Sequence, residues 1–444
     1  MIKKLLIFLC IVGSVFLLWK KIGSASNLYL GTPEILGGVV LTDDAAGGRL
    51  YYLTGQWEKR MSRIGGGRSS SSVRTMSWLN VDLWELDAAT AQPLARRRIK
   101  REKVNGDSKA LGMEQGVLWA RIPELVGIRL ADGVIVADKA KIEARNPGLA
   151  NLIPKPPEAV FFLTESMQPL KFDPQSGMIV RLDDARQVRI DPLTLEATPY
   201  VATQSKTTPP KLPENPTQAT RTAVISLSTG MDWRAMVRGL AMPQPDGGGV
   251  WLGLLAEPDL AMMREQHIVS DRMDFSVPGR QRLYRAEIKQ IQQEFLGPRM
   301  AYQNPTALPE GPEFLMAGLL TQTSGGRSGQ SALWQQKPDS VFVLSHDRLG
   351  GEGRLQLARI SGPKGAPVWS VALPLSAMSA WLPGETQALM LGPAPSAPRS
   401  PMAEDNENPG MHIVAINLDT GALNFFNTDL QRDWPVTETL VKTP

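Results

Sequence analysis

Short apolar runs, each closed by Gly, Asp or Pro, recur along almost the whole chain. They are Ile35–Leu41, Leu50–Leu53, Val81–Leu86, Val117–Ile122, Val134–Ala137, Val160–Leu163, Val224–Leu227, Val250–Leu255, Val341–Leu344, Leu355–Ile360 and Ile413–Ile416. They are too short for helices and rich in Val, Ile and Leu, which is the pattern of strands separated by turns. Helical periodicity is confined to Leu260–His267, with Arg285–Phe295 ambiguous. The 40 Gly and 35 Pro among 444 residues argue the same way, for many turns and against a helical bundle. An all-β chain is expected. A single cysteine, Cys10, excludes an internal disulfide framework and an all-Cys metal cluster. The three histidines, His267, His346 and His412, are far apart in sequence and argue against a poly-His metal centre.

A turn repeats between the runs. Ala415-Ile416-Asn417-Leu418-Asp419-Thr420-Gly421 is followed by Phe425, four residues past the glycine. Asp87 with Thr90 and Ala91, and Asp191 with Thr194, repeat its first half; Gly365 with Trp369 repeats its second half, and Ser361 stands where the others have Asp or Asn. Asp132-Gly133 and Glu287 with Phe295 are degenerate copies. An Asp or Asn side chain caps turn N–H groups, and Gly supplies a positive φ at the exit of a hairpin. Asp87, Asp191, Ser361 and Asn417 lie 104, 170 and 56 residues apart. These separations divide into two, three and one units of about 52–57 residues, close to the ~40–50 of one four-stranded propeller blade.

The turns resemble the repeats of the quinoprotein-type β-propellers, whose docking motif is Ala-x-Asp-x-x-Thr-Gly-x-x-x-Trp. Ala415, Asn417, Thr420, Gly421 and Phe425 match it with Asn for Asp and Phe for Trp, and Gly365 with Trp369 matches its second half. The chain is similar in this respect to bacterial envelope propellers. The resemblance implies a single propeller of six to eight four-stranded blades, with seven expected, over most of residues 30–435. For the enzymes of that superfamily it also implies a quinone cofactor and calcium at the propeller centre. No residue of this chain matches a ligand of either, and Cys10 alone cannot form the vicinal disulfide found beside the cofactor in several of them.

The N-terminus carries its own information. Lys3 and Lys4 precede the uncharged stretch Leu5–Trp19, and Lys20 and Lys21 follow it. Residues 1–26 therefore read as a signal anchor or a signal peptide. Fifteen residues make a short span, which the flanking lysines and Trp19 can lengthen by snorkelling, and Lys20-Lys21 before the small residues Gly23-Ser24-Ala25 favours the anchor. The bulky Leu9 before Cys10 argues against lipidation. This segment holds four lysines and no acid, which accounts for the whole net charge of +4. Residues 27–444, the propeller domain, are neutral overall and offer no electrostatic case for a nucleic-acid partner. Within them, Pro-rich stretches near 203–222 and 392–410 and the tract Gly65–Ser72 read as loop insertions.

The candidate chemistry is thin. Gly65–Ser70 could cradle a phosphate but lacks the ending of a nucleotide loop, and Glu404–Asn408 lacks the alternating spacing of a calcium loop. His346-Asp347 with Arg348 is the most suggestive group for acid–base work, since it ends the run Val341–Leu344. Arg96, Arg97, Arg98, Lys100, Arg101 and Lys103 read as a solvated strand edge. Met236 and Met262-Met263 read as core filling. The sequence thus assigns no catalytic, cofactor-binding or metal residue and no cofactor. The expected function is a non-catalytic scaffold that binds an envelope protein partner, anchored in the inner membrane through residues 5–19; the alternatives are a quinone-dependent redox enzyme, or another enzyme with a small-ligand site in the central channel. With residues 27–444 on the periplasmic side, alkaline phosphatase fused to the C-terminus is expected to be active. An inactive fusion made in good yield would place the body in the cytoplasm.

Overall fold

The apolar runs fold as antiparallel meanders. The computed structural model describes residues 28–31, 33–42, 48–64, 72–103, 108–154, 168–201, 221–228, 230–243, 249–266, 279–293, 297–321, 340–350, 352–362, 364–384, 386–395, 410–428 and 437–438. The signal segment 1–26, Cys10, the run Val160–Leu163 and most of both Pro-rich stretches lie outside them. Among the described residues no helix is long and apolar enough to cross a membrane.

The first meander is Glu34–Thr42, Arg49–Ile64, Ser72–Asp87 and Pro93–Glu102; the second is Lys109–Glu114, Val117–Ile122, Glu124–Arg129 and Ile135–Asp138. The third is Leu170–Asp173, Gly177–Arg181, Gln187–Ile190 and Ala197–Pro199. The fourth, Gly239–Pro243, Gly249–Leu255, Arg280–Gln293 and Gly297–Ala307, joins the fifth, Phe314–Leu320, Ser340–His346, Leu355–Ser361 and Pro367–Ala372, through a short Arg280–Gln281 pairing with Phe314–Leu315. The sixth is Ala380–Pro383, Gln387–Pro393, Met411–Asn417 and Leu423–Asn427. The ambiguous stretch at Arg285–Phe295 is strand as far as Gln293, and the periodic stretch near Leu260 is the helix Glu257–Gln266. Met263 and Met236 are buried, as core filling requires, whereas Met262 is only half-buried.

The runs are continuously apolar, not alternating, because most sheets are covered on both faces. In the sixth meander Met390, Val414 and Ile416 pack on Phe342, Leu344 and Leu357 of the fifth. From the other face Leu389, Leu391, Ile413 and Ala415 pack on Leu50, Tyr52, Trp84 and Leu86 of the first. The first then packs on the second through Leu53, Val81 and Leu83, the second on the third through Trp119 and Ala137, and the fourth on the fifth through Leu252, Leu254 and Leu283. The packing order is thus third, second, first, sixth, fifth, fourth. The free face of the fourth is covered by its own helix, which sets Leu260 and Met263 on Trp251 and Ala286.

The repeated turn joins the third and fourth strands. The Asp87 carboxylate accepts from the N–H groups of Ala89 (3.0 Å) and Thr90 (2.9 Å), Asp191 from Leu193 and Thr194 (both 2.9 Å), and the Asn417 amide oxygen from Asp419 (3.0 Å) and Thr420 (2.9 Å). The fifth residue closes each turn with positive φ: Ala91 at 56°, Leu195 at 59°, Gly365 at 80° and Gly421 at 74°. Glycine is needed where the preceding meander leans in. A Cβ on Gly421 would lie 2.7 Å from the Trp369 ring, whose Nε1 donates to the Leu418 carbonyl at 3.3 Å. The aromatic position does not repeat as the sequence suggests. Phe425 is 46% exposed against His412, and its neighbour Phe426 is the ring buried beside Trp84. The cause is register: a bulge between Arg359 and Ile360 shifts the partner of Trp369, and the sixth meander has no such bulge, so the equivalent residue falls on the opposite face.

The chain crosses from the third meander to the fourth by a long internal route. Arg221–Ala223 pairs with Glu114–Gly112 of the second meander, and Ile225 then exchanges both backbone hydrogen bonds with Val39 of the first (3.1 and 2.8 Å). Ser228 N–H donates to Ser379 O beside the first strand of the sixth (2.9 Å), and Met236–Val237 pairs with Leu320–Leu319 of the fifth. Residues 221–237 therefore strap the first-strand edges of four meanders. Gly38 makes this possible: its φ is 142°, and a Cβ there would stand 2.2 Å from the Ile225 carbonyl oxygen. The run Val224–Leu227 belongs to this strap and forms only an isolated bridge, not a strand of a meander. The strap also corrects the spacing argument. The 170 residues from Asp191 to Ser361 hold the strap, the helix and the long hairpin of the fourth meander, and so one intervening unit where even division gave two.

Gly421→Val is expected to cost ~1–3 kcal/mol from backbone strain. Trp369→Ala should cost about 2 kcal/mol, below the range for a fully buried tryptophan because its ring is only half-buried. The pair should be sub-additive, since one residue rests on the other. Gly38→Ala should cost ~1–3 kcal/mol or more. Urea unfolding of the four variants measures these values; strict additivity of the first pair would mean that the ring and the turn do not touch.

Candidate functional site

An extended polar assembly lies on one face of the first meander. Period-two alternation places Thr54, Glu58 and Arg60 on that face from the second strand and Trp84, Asp82, Asn80 and Trp78 from the third. From the fourth strand come Arg96, Arg98 and Arg101. The last two are three residues apart and should alternate, but a bulge at Ile99, between the Asp82–Arg98 and Val81–Lys100 pairs, returns Arg101 to the same face.

The side chains form a ladder from the core outward. Trp84 is buried, stacks on Tyr52 with ring centroids 6.1 Å apart, and donates from Nε1 to Thr54 Oγ1 at 3.2 Å. The Arg96 guanidinium lies over the same indole and makes two bonds to Asp82 Oδ2, at 2.9 and 2.7 Å. Arg98 takes the other Asp82 oxygen and donates to Asn80 Oδ1 at 3.1 Å. The Asn80 amide then donates to Glu58 Oε2 at 3.3 Å, and Glu58 Oε1 receives Arg101 at 2.7 Å and Arg60 at 2.8 Å. At the outer end Trp78 has Arg101, Arg60 and Lys103 over its ring, at 5.2, 5.6 and 5.9 Å.

Burial raises the Glu58 carboxyl, but the hydrogen bonds from Arg60 and Asn80 and the charge of Arg101 outweigh it and hold the carboxyl below its usual range. Glu58 is thus held ionised and is not poised to take or give a proton near neutral pH, and the oxygens of both ladder carboxylates are taken up by donors. What the face can do is present guanidinium, ammonium and indole groups to an anion. The sequence reading of these cations as a solvated edge is corrected on two counts. Arg96 is buried, and the edge strand Pro93–Glu102 is covered by Thr437–Glu438, which pairs with it in parallel. Sequence alone shows the cations but not the acids opposite them, which arrive through the register of strands 14 to 43 residues away.

The other candidates separate. The His346 imidazole is lowered by burial, against a backbone hydrogen bond at Met316 and the charge of Asp347 that raise it. The Asp347 carboxylate, however, accepts from the Arg354 N–H at 2.8 Å, so it orients its own turn and not the histidine. His412 is held by its Nδ1 against the Pro374 carbonyl at 2.6 Å and is structural. His267, Gly65–Ser70 and Glu404–Asn408 lie outside the described residues, among which no three metal-ligating side chains converge.

No family model matches the chain, and no curated protein matches it. Among solved structures it is similar to the crystal structure of a member of the DUF4221 family from Bacteroides vulgatus ATCC 8482, at 8% identity over 90% of this chain and 99% of that one. The TM-score is 0.20, and at that value the likeness carries no argument about fold or function.

Asp82→Ala should cost ~3–5 kcal/mol, because it breaks a buried ion pair and removes the carboxylate that takes two bonds from the Arg96 guanidinium. Glu58→Gln should flatten the acid limb of stability. The folded pKa lies below the unfolded one, so the Glu58 contribution is complete above about pH 4.3 and is lost as pH falls through the depressed value. Urea unfolding from pH 6 to pH 3 checks both; an acid limb unchanged in Glu58→Gln would remove Glu58 from the linkage.

Proposed function

We propose that this chain is a non-catalytic binding scaffold of the cell envelope, built as a six-bladed β-propeller and held at the inner membrane by residues 5–19. The six meanders would be its blades, within the six to eight that the resemblance implies and one fewer than the seven expected. The single observation that carries the non-catalytic reading is the course of residues 221–237. They bond along the first-strand edges of the second, first, sixth and fifth meanders, the edges that face the centre of a propeller. The resemblance to quinoproteins would put a quinone and calcium at that centre, and in a propeller built from these meanders the protein's own backbone would run there. This favours binding on the periphery over a small ligand in a central channel.

The exposed apolar side chains support the same reading. Leu94, Val368 and Phe425, between 46% and 53% exposed, stand three or four residues past the turn-closing residue on the last strands of the first, fifth and sixth meanders. Those sheets are consecutive in the packing, so the repeat sets an apolar residue at matching places on neighbouring blades. A protein partner would bury them as interface anchors. The body is neutral, so the association should weaken only modestly with salt.

In crosslinked pulldowns the full chain should recover a discrete envelope protein at both low and high salt, and Val368→Ser with Phe425→Ser should reduce recovery about tenfold. Added pyrroloquinoline quinone and calcium should leave the absorbance spectrum unchanged. Stoichiometric quinone binding with dye reduction would overturn the scaffold reading.

A further inference from the structure

We propose that the outer end of the arginine ladder, centred on Trp78, docks onto the anionic phospholipid headgroups of the membrane that residues 5–19 enter. This rests on the anchored reading above. The chain brings the two together. Leu28–Leu30 pairs with Arg60–Glu58, and Glu58 pairs in turn with Trp78, so the backbones of Leu30 and Trp78 are two strand spacings apart, about 10 Å, with Leu28 two residues further along. Between the apolar stretch and Leu28 lie residues 20–27, so Trp19 and Leu28 can be no more than about 32 Å apart whatever the conformation. The first meander also extends beyond its neighbour. Its second and third strands are 16 residues long, against 7 in the middle strands of the sixth.

The chemistry of this face suits a phosphate-rich surface. Arg60, Arg96, Arg98, Arg101 and Lys103 stand against Glu58 and Asp82, which leaves five cations to two acids and a net +3 on one face of a neutral body. The exposure of the cations rises outward. Arg96 is 7% exposed, Arg98 26%, Arg101 42% and Arg60 54%. The inner arginines are used up in structure, whereas each outer one makes a single bond to Glu58 and keeps further N–H donors in its fork. An indole held between cations is the side-chain set that settles at a headgroup layer, the ring among the glycerol groups and the cations on the phosphates.

The test uses the full chain in nanodiscs of phosphatidylcholine alone or with 30% phosphatidylglycerol, and follows amide hydrogen exchange over residues 54–60 and 76–84. The expected result is exchange at least fivefold slower in the phosphatidylglycerol discs, reversed by 0.5 M NaCl, and lost in Arg60→Gln/Lys103→Gln and in Trp78→Ser with thermal midpoints maintained. Inorganic phosphate at 10 mM should not reproduce the protection in phosphatidylcholine discs; if it does, the face is a free-phosphate site and the lipid proposal falls. Equal rates in both discs, or protection indifferent to salt, overturn it. The salt arm needs no variant, so a substitution that unfolds the chain does not blunt the test. A chain that enters neither kind of disc overturns the anchored reading. The same chain is then floated with phosphatidylglycerol vesicles, and failure to float overturns the surface proposal independently.

Discussion

Four of the six sheets share one strip of backbone, and the arrangement depends on how closely that strip can approach. Ile225 trades two hydrogen bonds with Val39 at a point where the neighbouring residue, Gly38, has no side chain to hold the strands apart. First-strand edges are rows of unpaired donors and acceptors that must be satisfied wherever they are shut away from water. The strap meets that demand for the second, first, sixth and fifth meanders in turn. It also ties the third meander to the fourth, the two ends of the packing order, along a path through the other four. Covalent continuity and backbone pairing thus act together where side-chain packing between those two sheets is not seen among the described residues.

The second organising element is electrostatic. Taking Asp82 and Arg96 out of water is costly, and the pair is tolerable because each charge meets several donors or acceptors and because the guanidinium also rests on the face of Trp84. The network passes from fully desolvated ion pairs to exposed ones within a few strand positions. The same residue type therefore does different things along it: inner arginines fix the sheet, and outer ones face the surroundings. Asn80 links the two regimes, accepting from Arg98 and donating to Glu58.

Much of the fold was legible in the sequence because its signals are local. Strand length, the capping Asp or Asn and the positive-φ residue of each turn involve neighbours along the chain, and Asp87, Asp191 and Asn417 cap their turns as their spacing predicts. The candidate site was only half legible. Arg96, Arg98, Arg101 and Lys103 stand out as a run of cations, but their meaning depends on Asp82, Glu58 and Trp78, which reach them across two strands and a bulge at Ile99 that no pattern in the run announces.

The sequence by itself determined an all-β chain of repeated four-stranded units, the chemistry of its turns and a neutral body behind a basic, apolar N-terminus, since composition and short-range spacing suffice for each. Tertiary structure decided the rest: six meanders, the burial of Phe426 in place of Phe425, the pairing of every ladder arginine, and the route of residues 221–237. These are consequences of register and long-range approach. A single-residue bulge flips a side chain to the other face, and one missing Cβ lets two backbones meet, and neither effect leaves a period that a sequence can display.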